Sequence, residues 1–359
     1  MNILLTAGGT GGHIFPALSV ALAFRKKAPD TALHWIGTRR NREQELCARY
    51  AIPLSLLAVS GFKRSLSLQT LKAAAQSVGA VQKARGIIRN FAPDAVLAFG
   101  GYVCAPVLAA AQLSGIPCFI QEQNTVPGMV NRFFGKRARM SFLGLPLHDE
   151  KALGVRTMLT GNPVREITGD YADYAYPETI DREKPSILIC GGSQGALSMN
   201  RSLIKAVGQW CSEGLQVIWQ TGRAGCEEVR AAMSLHANCA VFASLDDLYP
   251  YYAQVKLVIG RAGASTLSEV AYFGLPFIPI PLPWSAENHQ WKNAGLVEAQ
   301  GWGIRIRQDE HTGMHVDAVL RQILYDKQTH EQMSKKALDN SPVNAADTIV
   351  VKVKELLKA

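Results

Sequence analysis

Residues 1–27, MNILLTAGGTGGHIFPALSVALAFRKK, decide the fold class. Residues 2–7 are mostly apolar and read as a buried strand. Residues 14–27 read as a helix, with Ile14, Ala17, Leu18, Ala21 and Leu22 on one face. Between them Gly8, Gly9, Gly11 and Gly12 turn the chain. Glycines at that place let backbone N–H groups approach a ligand, and the following helix N-terminus favours an anion. A dinucleotide fingerprint would read GxGxxG; Gly9 and Gly11 fit it, but Ile14 stands where the third glycine belongs. The next strand ends in Gly37-Thr38-Arg39-Arg40, with no acid to hold a ribose. An NAD enzyme is disfavoured, whereas an NADP enzyme using Arg39 and Arg40 stays open.

Outward from that unit the alternation continues. Strands are expected at 31–36, 53–57, 95–99 and 117–120, with helices at 42–50, 68–91 and 104–114. Residues between Asp94 and Glu122 carry no charge, a length that could cross a bilayer. Gly100-Gly101, Pro106, Gly115 and Pro117 break it into a strand, a turn, a helix and a strand instead. The second half repeats the plan, with strands at 186–190, 215–220, 240–243, 257–259, 276–280 and 303–307 and helices after 195, at 265–273 and at 287–299. Repeated βα units imply parallel sheets with helices on both faces. The expected fold is α/β: two doubly wound parallel-sheet domains with a cleft between them, the chain crossing near 161–163.

Composition bounds the function classes. Of 359 residues 48% are hydrophobic and 19% charged, enough for a sizeable core and against a disordered chain. Seven cysteines without CxxC or CxxH spacing argue for a reducing compartment and against a zinc module or disulfide scaffold. The opening MNILLTAGG lacks a basic region and cleavage site and reads as a strand, not a signal peptide. The net charge of +9 is uneven: residues 1–160 hold 19 Lys and Arg against 7 Asp and Glu, the remainder 19 against 22. The first half is therefore suited to an anionic surface or ligand, although a solvated face gives the same count. Nucleic acid is not expected as a partner, because the basic segments lack interleaved aromatics.

Further segments carry chemistry. Phe99-Gly100-Gly101-Tyr102 and Gly191-Gly192-Ser193-Gln194-Gly195 are glycine turns that open helices after strands. One such turn could be plain geometry; three at strand C-termini suggest phosphate groups. In Gly260-Arg261-Ala262-Gly263-Ala264-Ser265-Thr266-Leu267-Ser268-Glu269, Ser265 and Thr266 can cap a helix or donate to a phosphate. Glu269 lies three residues after Thr266, so it either closes a capping box or holds vicinal sugar hydroxyls. Gln290 and Asn293 share a helical face and suit the hydroxyl and acetamido groups of a sugar. Asp246-Asp247 reads as a helix start, not a metal-binding pair, and no metal or cofactor is expected.

Taken together, these segments resemble the MurG family. The resemblance rests on GGTGGHxxP at 8–16, GGY at 100–102, Gln121-Glu122-Gln123-Asn124, TGNPVR at 160–165, GGSQGA at 191–196, RAGAxTxxE at 261–269 and HQxxNA at 289–294. It covers nearly the whole chain and implies a GT-B fold of two Rossmann-like domains, 1–162 with 343–359 and 163–342. It implies an inverting hexosyltransferase moving N-acetylglucosamine from UDP-GlcNAc to the 4-hydroxyl of lipid I, giving lipid II for peptidoglycan. The second domain would hold the donor: Ser193 and Gln194 at the diphosphate, Leu245 at the uracil, Ala264, Ser265 and Thr266 at the phosphate, and Leu267 and Ser268 also among the residues that bind UDP-GlcNAc. Glu269 would take the ribose, Gln290 and Asn293 the sugar, and Arg165 would also reach the donor. From the first domain Thr10, Gly11, Gly12 and Asn124 would face the cleft and also contact UDP-GlcNAc, and Gly100, Gly101 and Tyr102 would bind the acceptor. His13 and Glu122 are the candidates for the base, since the family's histidine before Glu-Gln-Asn is Gln121 here and Leu197 stands where some members carry arginine.

The implied setting is peripheral, on the cytoplasmic face of the bacterial inner membrane, within a cell-wall synthesis complex. The expected membrane surface is Phe62-Lys63-Arg64 and the following helix, with Leu68, Leu71, Ala75, Val78 and Val81 near one face and Lys72, Lys83, Arg85 and Arg89 beside them. Lys136, Arg137 and Arg139 add charge. The stripe could equally be the helix's core face. Rival readings are another UDP-sugar enzyme of this fold, such as a glycolipid transferase or a UDP-GlcNAc 2-epimerase, and the NADP oxidoreductase.

Overall fold

The computed structural model describes residues 1–38, 41–59, 68–167, 171, 174, 176–192 and 195–358, with backbone alone at 41, 42 and 68–77. Two compact units emerge, Met1–Arg165 with Pro342–Ala359, and Glu166–Ser341.

The first unit runs β1 (Asn2–Thr6), α1 (Gly11–Lys27), β2 (Ala32–Gly37), α2 (Asn41–Arg49), β3 (Leu54–Leu56) and α3 (Leu68–Phe91). It continues with β4 (Ala95–Ala98), α4 (Cys104–Leu113), β5 (Cys118–Glu122), α5 (Met129–Gly135), β6 (Met140–Leu143) and β7 (Thr157–Leu159). Its seven strands lie in the order β3-β2-β1-β4-β5-β6-β7, with every pairing parallel. Helices cover both faces, so the central strands carry consecutive apolar residues; Ile3, Leu4 and Leu5 are all fully buried. β6 and β7 were not expected. Four- and three-residue runs show no period of two, and they become strands because β5 offers them a row of backbone partners.

The second unit contains β8 (Ser186–Cys190), α6 (Leu197–Ser212), β9 (Gln216–Gln220), α7 (Cys226–Ala232), β10 (Cys239–Phe242), α8 (Tyr249–Tyr252) and β11 (Leu257–Gly260). α9 (Ala264–Tyr272), β12 (Phe277–Pro279), α10 (His289–Gln300), α11 (Thr312–Tyr325) and α12 (Lys327–Asp339) follow. The five strands order as β10-β9-β8-β11-β12, again parallel. Residues 303–307 do not form the expected strand. Gly303 makes a single bridge to Phe277, while Arg305 turns back to Trp291 and Glu298. The last helix, α13 (Ala345–Lys358), rejoins the first unit, where Ile349, Val350 and Val353 enter the core beside α1 and Asp347 pairs with Lys27 at 3.0 Å.

In each sheet the strand order reverses once, between β1 and β4 and between β8 and β11. Open α/β sheets receive ligands at the strand C-termini beside such a reversal. The glycine turns lie at those strand ends.

Candidate active site

In the first unit Thr10 is the N-cap of α1, and Gly11, Gly12 and His13 form its first turn. The helix begins three residues earlier than expected because the Thr10 carbonyl accepts from both His13 N and Ile14 N. No side chain caps it. Gly100 and Gly101, with φ of +103° and +88°, end the turn after β4. A Cβ on Gly101 would overlap the Gly8 carbonyl oxygen, and one on Gly100 would lie 2.8 Å from His13 Cδ2. The two turns therefore interlock, and only glycine allows it. Tyr102 follows, about half exposed.

His13 is half-buried, and its Nδ1 lies 3.1 Å from the Gly8 carbonyl oxygen. A carbonyl only accepts, so Nδ1 carries the proton and Nε2 presents a lone pair. Burial lowers the His13 pKa below its ordinary 6.5, against opposing pulls from the Glu122 charge and the Gly8 bond. The ring is neutral at pH 7, which suits it to accept a proton.

Glu122 is the second candidate base. It is buried at the end of β5, and all four of its partners are donors. Oε1 accepts from Asn124 N at 3.0 Å and Asn124 Nδ2 at 3.4 Å; Oε2 accepts from Gly128 N at 3.0 Å and Asn131 Nδ2 at 2.8 Å. A carboxylate so occupied organises the 124–131 loop and acts on His13 through its charge. Asn124 is engaged in that loop. Gln121 joins a buried amide network, donating to Asn162 Oδ1 at 3.0 Å and accepting from Gln123 Nε2 at 2.6 Å. Arg165 ends the first segment of this unit.

In the second unit Ser193 and Gln194 lie outside the described residues. Around them, Gly192 O accepts from Gln220 Nε2 at 3.2 Å and Gly195 packs against Thr221 and Gly222, so the turn leans on the end of β9. Leu245 lies half-buried between β10 and α8. Asp247 accepts from Tyr249 N at 3.0 Å at the entry to α8, as a helix start should.

The Gly263 N-cap starts α9 at Ala264, without a side-chain cap. Thr266 is thus inside the helix, and the capping box with Glu269 does not form. Glu269 is half-buried and accepts from Tyr252 Oη at 3.5 Å. Ser265 and Thr266 occupy the first turn. The side chains of Leu267 and Ser268, expected among the donor-binding residues, turn inward. Leu267 is in the core, its N–H bonded to the Gly263 carbonyl, and Ser268 Oγ donates to the Ala264 carbonyl at 2.9 Å. Helical spacing places the side chains of consecutive residues on different faces, so Leu267 and Ser268 could reach a ligand there only through their backbone. Asn293 is fully buried and its Nδ2 donates to the Ala262 carbonyl at 3.2 Å, tying α10 to the turn before α9. Gln290 Oε1 accepts from Leu282 N at 2.9 Å.

One residue carries more than its motif suggested. Arg261 is buried between β11 and α9, donating to the carbonyls of Ile280 and Pro281 at 3.0 and 3.2 Å and to Ser198 Oγ in the first turn of α6 at 3.2 Å. Its Nε has no partner, and burial lowers its pKa to about 10. Among the described residues no carboxylate pairs with it, so a cation stands beside the starts of α6 and α9. Among the described residues no group of three or more His, Cys, Asp or Glu could hold a metal.

Comparison with known proteins gives the family. Residues 3–142 match the glycosyltransferase family 28 N-terminal domain and residues 186–349 its C-terminal domain. The chain is 33% identical, over 100% of both chains, to an Exiguobacterium protein named UDP-N-acetylglucosamine--N-acetylmuramyl-(pentapeptide) pyrophosphoryl-undecaprenol N-acetylglucosamine transferase. A Listeria monocytogenes protein of the same name is 32% identical over 100% of both chains. Among solved structures it is similar to Acinetobacter baumannii MurG, with TM-score 0.76, 28% identity and 99% of each chain covered. A putative UDP-N-acetylglucosamine 2-epimerase from Listeria monocytogenes shares the fold at TM-score 0.74 and 16% identity, covering 99% of this chain and 96% of that one. With both domains matched and full-length relatives above 30% identity, the chain belongs to the MurG family, within glycosyltransferase family 28.

Proposed function

We propose that this protein transfers N-acetylglucosamine from UDP-GlcNAc to the 4-hydroxyl of the muramyl sugar of lipid I, making the β1-4 link of lipid II. The carrying observation is His13: a neutral imidazole, its Nδ1 proton held by Gly8, set between two interlocked glycine turns. Its Nε2 takes the acceptor hydroxyl proton. The hydroxyl oxygen forms the new bond to the anomeric carbon, the bond from that carbon to the phosphate oxygen breaks, and UDP leaves with the electron pair. Configuration inverts because attack and departure are on opposite faces. The leaving diphosphate is stabilised by the α6 and α9 N-termini and by the buried Arg261, without a metal. Ala264, Ser265 and Thr266 lie at the phosphates, Glu269 at the ribose, Leu245 at the uracil and Gln290 at the sugar. Leu267, Ser268 and Asn293 shape the site from behind. Gly11, Gly12, Gly100, Gly101 and Tyr102 receive the acceptor.

Incubation with UDP-GlcNAc and a lipid I analogue, read by mass, tests this reading. Conversion of UDP-GlcNAc to its 2-epimer with no transfer would favour the epimerase that the shared fold also permits.

The acceptor's undecaprenyl chain requires a membrane, and we place the protein peripherally on its cytoplasmic face. No helix among the described residues is long and apolar enough to cross a bilayer. Residues 62–64 and the side chains of 68–77 lie outside the described residues. Within them, Val78 is exposed beside Lys83, Arg85 and Arg89, and α5 exposes Met129 and Phe133 near Lys136 and Arg137. Each basic residue near an anionic leaflet contributes roughly 1 kcal/mol. Co-sedimentation should favour anionic over neutral vesicles and weaken with salt; binding indifferent to both would refute the electrostatic attachment.

A further inference from the structure

We infer that Glu43 is a positioning residue of the transfer reaction: its buried carboxylate holds the first glycine turn, and through Gly8 it keeps His13 in the tautomer with Nε2 open. The inference rests on the reading of His13 above.

Glu43 lies in the first turn of α2 and is fully buried. Oε1 accepts from Thr38 Oγ1 at 2.8 Å and from Gly9 N at 3.3 Å, and Oε2 accepts from Thr38 N. A buried carboxylate is tolerated when donors surround it, and here three do. The Thr38 contacts alone could anchor α2. The bond to Gly9 could not, because it reaches back 34 positions into the connection between β1 and α1.

The fit around Gly8 is close on both sides. A Cβ there would lie 3.2 Å from Glu43 Oε1 and 2.9 Å from Val103 Cγ1, while Gly101 closes over the Gly8 carbonyl. A Cβ on Gly37 would overlap Glu43 Oε2. Glu43 fills the space that side chains at 8 and 37 would take. Gly8 is clamped between this carboxylate and the β4 turn, and its carbonyl is the group that holds His13 Nδ1. A negative charge behind a turn that receives anions opposes ligand binding by its sign. Its value to the site is geometric: it fixes the carbonyl that fixes the imidazole.

The test is Glu43→Gln, whose amide turns N–H toward donors, read in two ways. In protein labelled with 15N-histidine, the His13 resonance pair, assigned by its loss in His13→Ala, reports the tautomer. The expected result is loss of the Nδ1-protonated signature. Turnover should fall about 10- to 100-fold, as displacement of a reacting group does, with the KM for UDP-GlcNAc unchanged. In the His13→Ala background the same substitution should cost less than about twofold, because the group it acts through is gone. An unchanged resonance pair, or an equal loss of turnover in both backgrounds, overturns the inference. Should Glu43→Gln fail to fold, Thr38→Val removes one donor to the same carboxylate and carries the same readouts at smaller size. The resonances are read without substrate, so their failure to move refutes the part given to Glu43 even where transfer is found. Absence of transfer by the parent protein refutes the reaction reading instead.

Discussion

Glu122→Gln separates a proton acceptor from a structural anchor. The replacement keeps shape and removes charge. Four donors face the carboxylate, two at each oxygen, and the side chain is 2% exposed, so solvent does not screen the loss. Glutamine offers one oxygen to one pair of donors and turns its NH2 toward the other pair. At least two hydrogen bonds to a charged acceptor are then lost, each contributing about 1.5–3 kcal/mol, for a total of about 3–6 kcal/mol. In a domain of this size about 2–4 °C accompanies each kcal/mol, so Tm should fall by at least about 6 °C. Calorimetry of parent and variant measures it, with UDP affinity as a control that the substitution should leave unchanged. The lost charge also removes a pull that raises the His13 pKa, so the acid limb of kcat/KM should move to lower pH. A variant melting within about 1 °C of the parent, yet losing turnover 100-fold or more as base removal does, would refute the anchor and restore Glu122 as the base.

Three further outcomes are expected. Because burial holds the His13 pKa below 6.5, activity should persist down to pH 6.5 and fall only below it, as the ring protonates; His13→Ala should remove that limb and cost turnover about 100-fold or more while sparing UDP affinity, both read from kcat/KM against pH. Glu269→Gln should weaken UDP binding by about 1.5–3 kcal/mol in calorimetric titration without lowering Tm, since no capping box depends on it. Gly101→Ala, at φ +88° with its Cβ over the Gly8 carbonyl, should cost more than about 1–3 kcal/mol of stability and much of the turnover, whereas Gly86→Ala in α3, where a Cβ meets nothing within 4 Å, should stabilise by about 0.5–1 kcal/mol; thermal unfolding compares the two.

What was legible in the sequence is local in origin. Strand, glycine turn and helix follow one another within a dozen residues, and the apolar period or its absence shows in a short window. The parallel class, the two-domain plan and the turns at 8–12, 100–101 and 191–195 could therefore be read before any coordinates. Glu269 could be proposed at a helix start but not relieved of capping. That required knowing that Gly263, not a residue nearer Thr266, is the N-cap, which depends on backbone dihedrals.

The tertiary structure decided everything that depends on which strand ends are neighbours. Gly8 and Gly101 are far apart in the chain, and only the pairing of β1 with β4 sets one turn on the other and aims His13. The same applies to Glu43 behind Gly9 and to Asn131 and Gly128 around Glu122, whose distinct part no spacing rule announces. Leu267, Ser268 and Asn293 stand among the donor-binding candidates because a motif groups residues by order along the chain. A helix sorts their side chains by angle, and these three turn into the core or onto internal partners. Sequence order names which residues gather at a strand end; the direction each side chain takes from there, and the hydrogen-bond partner already waiting for it, is set by packing.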